Sequence, residues 1–332
     1  MILLISHQAD AHARCVLDHL QAMERPALLF DLAEFPDRAT LSIDYADGAR
    51  PRIDYARAGG ERHALDEVGS VWWRRPQAPD LSSVTDAQAH LFTANEWNEA
   101  LNGLWRLLGD ARWMNEPGRD DAASRKAAQL RIAAELGFKV PRTLISSDPQ
   151  RVREFVHALG PGATVHKTFS CTHAVWRETR LLGEDDLAHL DTVRLAPVIF
   201  QEFVPAAADI RVTAVGGRLF PAEIKLDPVP GSIDFRPNLG AATVREHALP
   251  LPLRQRLLAL MQRLGLEYGA IDLRLTPQGE YYFFEINTAG EFLFIEQRTG
   301  QPIGRAVAEW LAGAQSMRLT TRVISAEAVR SG

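Results

Sequence analysis

Asp272 and Glu285 are the pair from which a chemical reading of this chain starts. They lie in two apolar and aromatic runs, Ile271-Asp272-Leu273-Arg274-Leu275 and Tyr281-Tyr282-Phe283-Phe284-Glu285-Ile286-Asn287, joined by Thr276-Pro277-Gln278-Gly279-Glu280. Runs of this type around a Pro- and Gly-containing turn predict a β-hairpin. A turn of even length centred between Gln278 and Gly279 sets Asp272 opposite Glu285. Opposed β-carbons then lie roughly 4.5–5.5 Å apart, and two like charges at that distance are destabilising without something positive between them. A divalent cation meets that need. Alternation carries Asn287 to the face of Glu285 and completes an all-oxygen set, suited to Mg2+ that draws its other ligands from nucleotide phosphates. Ile271, Leu273, Phe284 and Ile286 are expected to form the opposite, apolar face and fix the register. The plainer alternative is a pair of solvated carboxylates on an exposed sheet.

Other charged residues bear on the same chemistry. Lys167 ends the strand-like run Thr164-Val165-His166-Lys167, a place where an ammonium needs a partner and a phosphate would serve. The following Thr168-Phe169-Ser170-Cys171-Thr172 has no glycines, which excludes a P-loop or a glycine-rich kinase loop. Gly216-Gly217 reads as a two-residue hairpin turn that puts Arg211 on one face with Asp209 and Thr213. Arg211 and Arg236 carry guanidinium forks that match phosphate or carboxylate oxygens, with a surface salt bridge as the alternative for each. Lys126 sits among Ala, Gln and Arg in a helical stretch, the ordinary setting of an exposed lysine. The 10 histidines show no paired spacing, so neither a histidine metal cluster nor a Ser-His-Asp triad is indicated.

The elements that must position these groups are also visible. In residues 1–115, strand-like Ile2 to Ile5, Ala27 to Phe30 and Val71 to Trp73 alternate with a helix around Ala13 to Met23, the pattern of a small α/β domain. Trp97, Leu101, Leu104, Trp105 and Leu108 recur at helical spacing and form a core face. Asn115-Glu116-Pro117-Gly118 interrupts the pattern and marks a boundary. Residues 116–195 contain a helix from Ala122 to Leu136, stopped by Gly137, then a lid-like subdomain. Strands dominate residues 196–314: Val198 to Val204, Ile210 to Val215, Leu219 to Ile224 and the hairpin, with one helix from Leu253 to Leu264. Residues 315–332 read as a tail.

With 332 residues and 46% hydrophobic content, the chain can bury real cores. The net charge of −5 comes from intermixed basic and acidic residues, which excludes an extended nucleic-acid surface. Two cysteines are too few for a disulfide framework and fit a reducing compartment. The opening Met1-Ile2-Leu3-Leu4-Ile5-Ser6 lacks a basic leader and a cleavage site, and no apolar stretch is of bilayer length. A cytoplasmic protein without membrane or nucleic-acid partners is expected.

The ordered set of motifs resembles the ATP-grasp ligases. Gly269-Ala270-Ile271-Asp272 followed by Phe283-Phe284-Glu285-Ile286-Asn287 is similar to their metal-binding end. The resemblance implies an N-terminal pre-ATP-grasp domain, a central lid subdomain and a C-terminal antiparallel-sheet domain. Gln201-Glu202-Phe203-Val204 looks like the hinge strand that meets adenine. Asp209-Ile210-Arg211 and Phe235-Arg236-Pro237-Asn238 look like the paired Arg-bearing segments of ligases that add glutamate to a ribosomal protein.

A narrower resemblance covers almost the whole chain. Val71-Trp72-Trp73-Arg74-Arg75-Pro76, Asn115 with Pro117, Lys126, Gln129, Gly137 through Thr143, Ile233-Asp234-Phe235-Arg236, and Glu285 through Phe292 before Thr299-Gly300-Gln301-Pro302-Ile303 resemble the microviridin-type (graspetide) peptide maturases. That likeness implies ATP and Mg2+ as cofactors, a ribosomally made precursor peptide as partner, macrocyclisation through acyl phosphates, and a homodimer. It implies nucleotide contacts at Lys126, Lys167, Gln201, Glu202, Phe203, Val204, Asp209 and Arg211, and metal ligands at Asp272, Glu285 and Asn287. It further implies substrate contacts at Asp234, Arg236 and Asn238, with Arg211, Arg236 and Lys167 nearest the transferred phosphoryl group. Thr288 and Glu291 stand where that family usually has proline and glutamine. Arg74 and Arg75 are expected only to close the first domain.

Overall fold

A computed structural model describes residues 1–46, 48, 50–169, 179–226 and 240–313. The chain opens with β1 (Ile2–Ile5), α1 (Ala11–Ala22), β2 (Ala27–Phe30), β3 (Ala39–Asp44), β4 (Arg52–Arg57), β5 (Arg62–Ala64), β6 (Ser70–Trp73), α2 (Ala87–Leu107) and β7 (Arg112–Met114). Strands β2-β1-β6-β7 form a parallel sheet. Every residue of β1 is buried, as a parallel strand covered on both faces requires. Leu3, Ile5, Phe30 and Val71 pack under Leu101, Leu104 and Trp105 of α2. Ile2, Leu4, Leu29 and Trp72 face α1 through Ala13, Val16 and Leu20. Strands β3, β4 and β5 add a separate antiparallel sheet that the sequence reading did not include.

Next come α3 (Pro117–Ala123), α4 (Lys126–Glu135), β8 (Thr143–Ser146), α5 (Pro149–Leu159), β9 (Thr164–Lys167), β10 (Arg180–Leu181), α6 (Glu184–Ala188) and β11 (Val198–Glu202). The single helix expected from Ala122 to Leu136 is therefore two. The Ser124 hydroxyl donates to the Asp121 carbonyl at 2.8 Å, and Arg125 takes an extended conformation, so helix hydrogen bonding restarts at Lys126. Gly137, at φ +78°, ends the second helix as expected. Strands β10-β9-β11-β8 form an antiparallel sheet over a small core of Val152, Leu190, Val193 and Phe200.

The last part holds β12 (Ala208–Val215), β13 (Arg218–Lys225), β14 (Thr243–Glu246), α7 (Leu251–Leu264), β15 (Tyr268–Leu275), β16 (Tyr281–Asn287), α8 (Leu293–Thr299) and α9 (Ile303–Leu311). The five strands pair antiparallel in the order β14-β13-β12-β15-β16. One face buries Ile210, Val212, Ala214, Ile271, Leu273, Phe283 and Ile286 against Leu253, Leu257, Leu260 and Met261 of α7. Truncating a fully buried leucine there, such as Leu257, would cost about 2–5 kcal/mol. The other face is covered along β13 and at the Val215 end of β12. Val215, Phe220, Ala222, Ile224 and Tyr268 share a core with Leu4, Trp72, Phe292, α8 and α9, which leaves the rest of that face for polar side chains. Among the described residues no helix is long and apolar enough to cross a membrane.

Candidate active site

The β15–β16 hairpin sets Asp272 opposite Glu285, by a different route from the even turn expected. Leu275 pairs with Tyr281, and Thr276 closes on Glu280 through its N–H at 2.9 Å. The loop proper is Pro277-Gln278-Gly279, with Gly279 at φ +80°, an odd three-residue connection. Left alone, that register would displace Glu285. A β-bulge between Asp272 and Leu273 restores it, because Leu273 pairs with Phe283 and Asp272 with Glu285. Phe284 is the extra residue, so it is not part of the apolar face. Phe283 takes that place and is fully buried.

Three strands then carry a row of charge across the sheet's other face. Arg211 pairs with Asp272 on β15, and its Nη1 donates to Asp272 Oδ1 at 2.6 Å. Asp272 lies beside Glu285, which in turn meets the Lys126 ammonium. Two carboxylates about 5 Å apart repel by roughly 3 kcal/mol at an effective dielectric of ~20. The row runs cation, anion, anion, cation, and so holds the acidic pair between Arg211 and Lys126. Lys126 is the first residue of α4, whose N-cap lacks a side-chain bond. A cation at that end of a helix is unfavourable by itself, and Glu285 compensates. Asn287 pairs with Ala270 and reaches the same face at the exposed end of β16, with its Oδ1 accepting from the Ala289 N–H at 3.0 Å. Carboxylate and amide oxygens are the donors Mg2+ takes, so these residues fit that ion.

The central sheet approaches this one through Lys167. Lys167 Nζ lies 5.8 Å from the Phe284 ring centroid, and the Arg274 guanidinium lies 5.2 Å from it. The bulge thus lifts an aromatic ring between two cations, an arrangement the ring quadrupole favours. Arg274 also forms a two-pronged pair with Asp209 at 2.8 and 3.2 Å and donates to the Val204 carbonyl at 3.1 Å. Asp209 therefore supports this arginine. The hinge strand stops at Glu202, two residues before the expected end. Gln201 is buried and donates to Thr143 Oγ1 at 2.9 Å. Glu202 Oε2 accepts from the Arg142 N–H at 3.2 Å. Phe203 donates its N–H to the Ala163 carbonyl at 2.8 Å. Asp234, Arg236 and Asn238 lie outside the described residues.

Several residues that organise the site carry no local signal of that role. Gln129 is 1% exposed, and its amide bonds Ile286 both ways, donating to the carbonyl at 2.9 Å and accepting from the N–H at 3.0 Å. Asn115 stands at φ +61°, a conformation asparagine tolerates. Its Nδ2 donates to the Tyr268 and Thr288 carbonyls, and its Oδ1 accepts from the N–H groups of Glu267 and Tyr268. Arg74, expected merely to close the first domain, is buried and bonds Asp10 Oδ2 at 3.3 Å and the Gly290 carbonyl at 2.9 Å. Burial would push the Asp10 carboxyl up, but Arg74 and the Ser6 hydroxyl hold it below its usual value. Burial, with Arg74 beside it, pushes the neighbouring His12 imidazole down to about 4.

Cys15, His19 and Glu296 also bring donor atoms within 4.8 Å of one another, a grouping that histidine spacing did not reveal. Glu296 Oε2 accepts from the Gly304 N–H at 2.7 Å at the start of α9. Burial, with the Glu296 and Asp18 carboxylates, pushes the Cys15 thiol up to about 11. α1, which carries Cys15 and His19, and α8, which carries Glu296, both pack on α9, and that packing accounts for the group.

Known proteins resemble this chain in sequence and fold. Residues 1–121 match the family model of the MvdD pre-ATP grasp domain. The macrocyclase MdnC from Microcystis aeruginosa MRC, solved bound with the precursor peptide MdnA, is 29% identical; the alignment covers 94% of this chain and 99% of that one, with a TM-score of 0.83. A RiPP-associated ATP-grasp ligase from Chryseobacterium gregarium, solved with ADP and a leader and core peptide, is 26% identical over 95% of this chain and 97% of that one, with a TM-score of 0.86. The ribosomal protein bS6–L-glutamate ligase of Salmonella paratyphi B is 27% identical over 214 residues, 62% of this chain and 69% of the relative.

Proposed function

We infer, from the match of residues 1–121 to the MvdD pre-ATP grasp domain and the likeness to ATP-grasp ligases over nearly the whole chain, that this chain is an ATP-grasp ligase that cyclises a ribosomally made precursor peptide. In this reading a side-chain carboxylate oxygen of Asp or Glu attacks the γ-phosphorus of ATP. The bond to ADP breaks and an acyl phosphate forms. A Thr or Ser hydroxyl, or a Lys amine, of the same peptide then attacks the acyl carbon. Phosphate leaves with the electron pair, the nucleophile loses its proton, and an ester or amide ring results.

What this chain contributes is placement and charge. Lys126, Lys167 and Arg211 would disperse the negative charge that grows on the phosphoryl oxygens. Arg211, with Arg236, would hold the carboxylate in line, and Asp234 and Asn238 would complete the peptide contacts. Gln201 to Val204 would line the adenine end, braced by Arg274 and Asp209. Mg2+, when held by Asp272, Glu285 and Asn287, supplies neutralisation of the nucleotide phosphates. We assign residues 1–115, 116–195 and 196–314 to the pre-ATP-grasp, lid and metal-bearing parts, and extend the reading to a cytoplasmic homodimer.

The observation that carries this reading is the row Arg211–Asp272–Glu285–Lys126, which gathers opposite charge on one sheet face beside Lys167. Incubation with ATP, Mg2+ and an acidic precursor peptide, followed by mass spectrometry, tests it. Cyclisation removes one water per ring from a single peptide. The likeness to a glutamate ligase supports a second reading, ligation of a free amino acid to an acceptor. That reaction adds a residue mass and would replace the first reading.

A further inference from the structure

The segment that follows the metal-bearing strand is held from the N-terminal domain at each of its five residues. Asn115 Nδ2 donates to the Thr288 carbonyl at 3.1 Å. Arg74 Nη1 donates to the carbonyls of both Ala289 and Gly290. Arg75 Nη2 lies 3.3 Å from Glu291 Oε1, and the Phe292 N–H donates to His12 Nδ1 at 3.4 Å. Arg74 is the member hardest to explain as packing. Its side chain is 0% exposed, it lies 5.6 Å from the Trp72 ring centroid and 6.0 Å from that of Tyr268, and its Nη2 makes no hydrogen bond among the described residues. Burying a guanidinium with one arm unsatisfied is costly, and an apolar side chain of similar volume would pack with less penalty.

Gly290 connects this anchor to the charge row. Its carbonyl also accepts from the Tyr268 hydroxyl at 2.7 Å. On its other side, a β-carbon would stand 2.2 Å from Ala270 Cβ and 2.9 Å from Arg211 Nη2. The main chain at Gly290 is therefore the wall against which the Arg211 guanidinium rests as it meets Asp272. We propose that Arg74 is a positioning residue for the nucleotide–metal site: by fixing the Ala289 and Gly290 carbonyls from the N-terminal sheet, it sets Arg211 and, through Arg211, the Asp272 carboxylate. The N-terminal domain then takes part in the chemistry of a site to which it contributes no ligand. This inference rests on the assignment of Asp272 to Mg2+ made above.

The test uses the full chain and calorimetric binding of ADP, measured with and without Mg2+. The readout is the ratio of the two affinities, which a purely structural role leaves untouched. Arg74→Met is expected to lower the melting temperature and to cut the Mg2+-dependent gain in ADP affinity at least tenfold. Arg74→Lys, which keeps the charge beside Asp10 but cannot span both carbonyls, is expected to recover part of the gain. It also supplies the comparison if Arg74→Met does not fold. A gain equal to wild type in whichever of the two variants folds, whatever the change in melting temperature, overturns the proposal. If the wild-type chain itself binds ADP no better with Mg2+, the metal assignment fails, and the proposal falls with it for that separate reason.

Discussion

Two hairpins of the same sheet solve the same problem in opposite ways. Between β12 and β13, Val215 pairs with Arg218 across Gly216 at φ +50° and Gly217 at φ +86°, a two-residue turn whose twist matches its strands. The ladder then runs without interruption to Asp209 and Ile224. Between β15 and β16 the loop is odd, and the ladder slips by one residue at Phe284 before Glu285 regains its place. The regular hairpin has an architectural job, since its Gly216 fits under Trp310 of α9. The irregular one sets Phe284 beside Lys167 and Glu285 beside Lys126. Bulges re-aim side chains at the cost of local ladder bonds, and here the irregularity falls where the proposed chemistry lies.

Substitutions in the two hairpins should separate activity from stability. Glu285→Gln is expected to lower peptide-dependent ADP release by about 100-fold or more while moving the melting temperature by only a few degrees. Asp272→Asn should lose as much activity and, because the buried Arg211 charge is left without its counter-ion, about 1–3 kcal/mol of stability as well. Gly216→Ala should do the reverse. Its Cβ would stand 2.1 Å from Trp310 Cδ1 at a positive φ, so about 3 kcal/mol of stability should go, with the folded fraction keeping its turnover. An equal loss of turnover per folded molecule in Gly216→Ala would erase the distinction. Gly279→Ala sharpens it further. The φ of +80° is similar but nothing lies within 4 Å, so only the backbone cost of about 1–2 kcal/mol should appear in denaturant melts.

A pH-dependent effect is expected at the junction behind the irregular hairpin. The His12 imidazole sits at about 4 in the folded chain, against roughly 6.5 when unfolded. As pH falls the unfolded chain takes the proton first, so the contribution is full above about 6.5 and is lost on the way down to 4. His12→Gln should flatten the decline in stability across that window by about 3 kcal/mol. A decline as steep as that of wild type would assign it to other groups.

Much of this architecture can be read from residue patterns, and the exceptions have identifiable causes. Parallel strands such as β1 are continuous apolar runs, and the Gly216-Gly217 turn announces itself. The pairing of Asp272 with Glu285 was reached by assuming an even turn; two compensating irregularities gave the same register. Alternation alone cannot reveal a bulge, because Phe283 and Phe284 are chemically identical and only the core chooses between them. The break before Lys126 is equally hidden, since Ala122 to Leu136 contains neither Gly nor Pro. It depends on the Ser124 hydroxyl and on a Glu285 partner 159 positions away in sequence. Pairings such as Asp209 with Arg274, or Arg74 with Gly290, join distant segments and leave no local periodicity to find. The roles of Asp234, Arg236 and Asn238 rest on family likeness, as these lie outside the described residues.

The way Gln129 and Lys139 meet β16 has one further effect. This strand ends the sheet, and an unpaired border is a template onto which any extended polypeptide can zip. The Ile286 N–H and carbonyl are already satisfied by Gln129, and the Phe283 N–H donates to the Lys139 carbonyl at 2.8 Å. A guest chain could not dock along that border without first evicting both. Under the proposed function, the rail nearest the carboxylates is thereby closed to backbone capture, and a peptide would have to be recognised by its side chains.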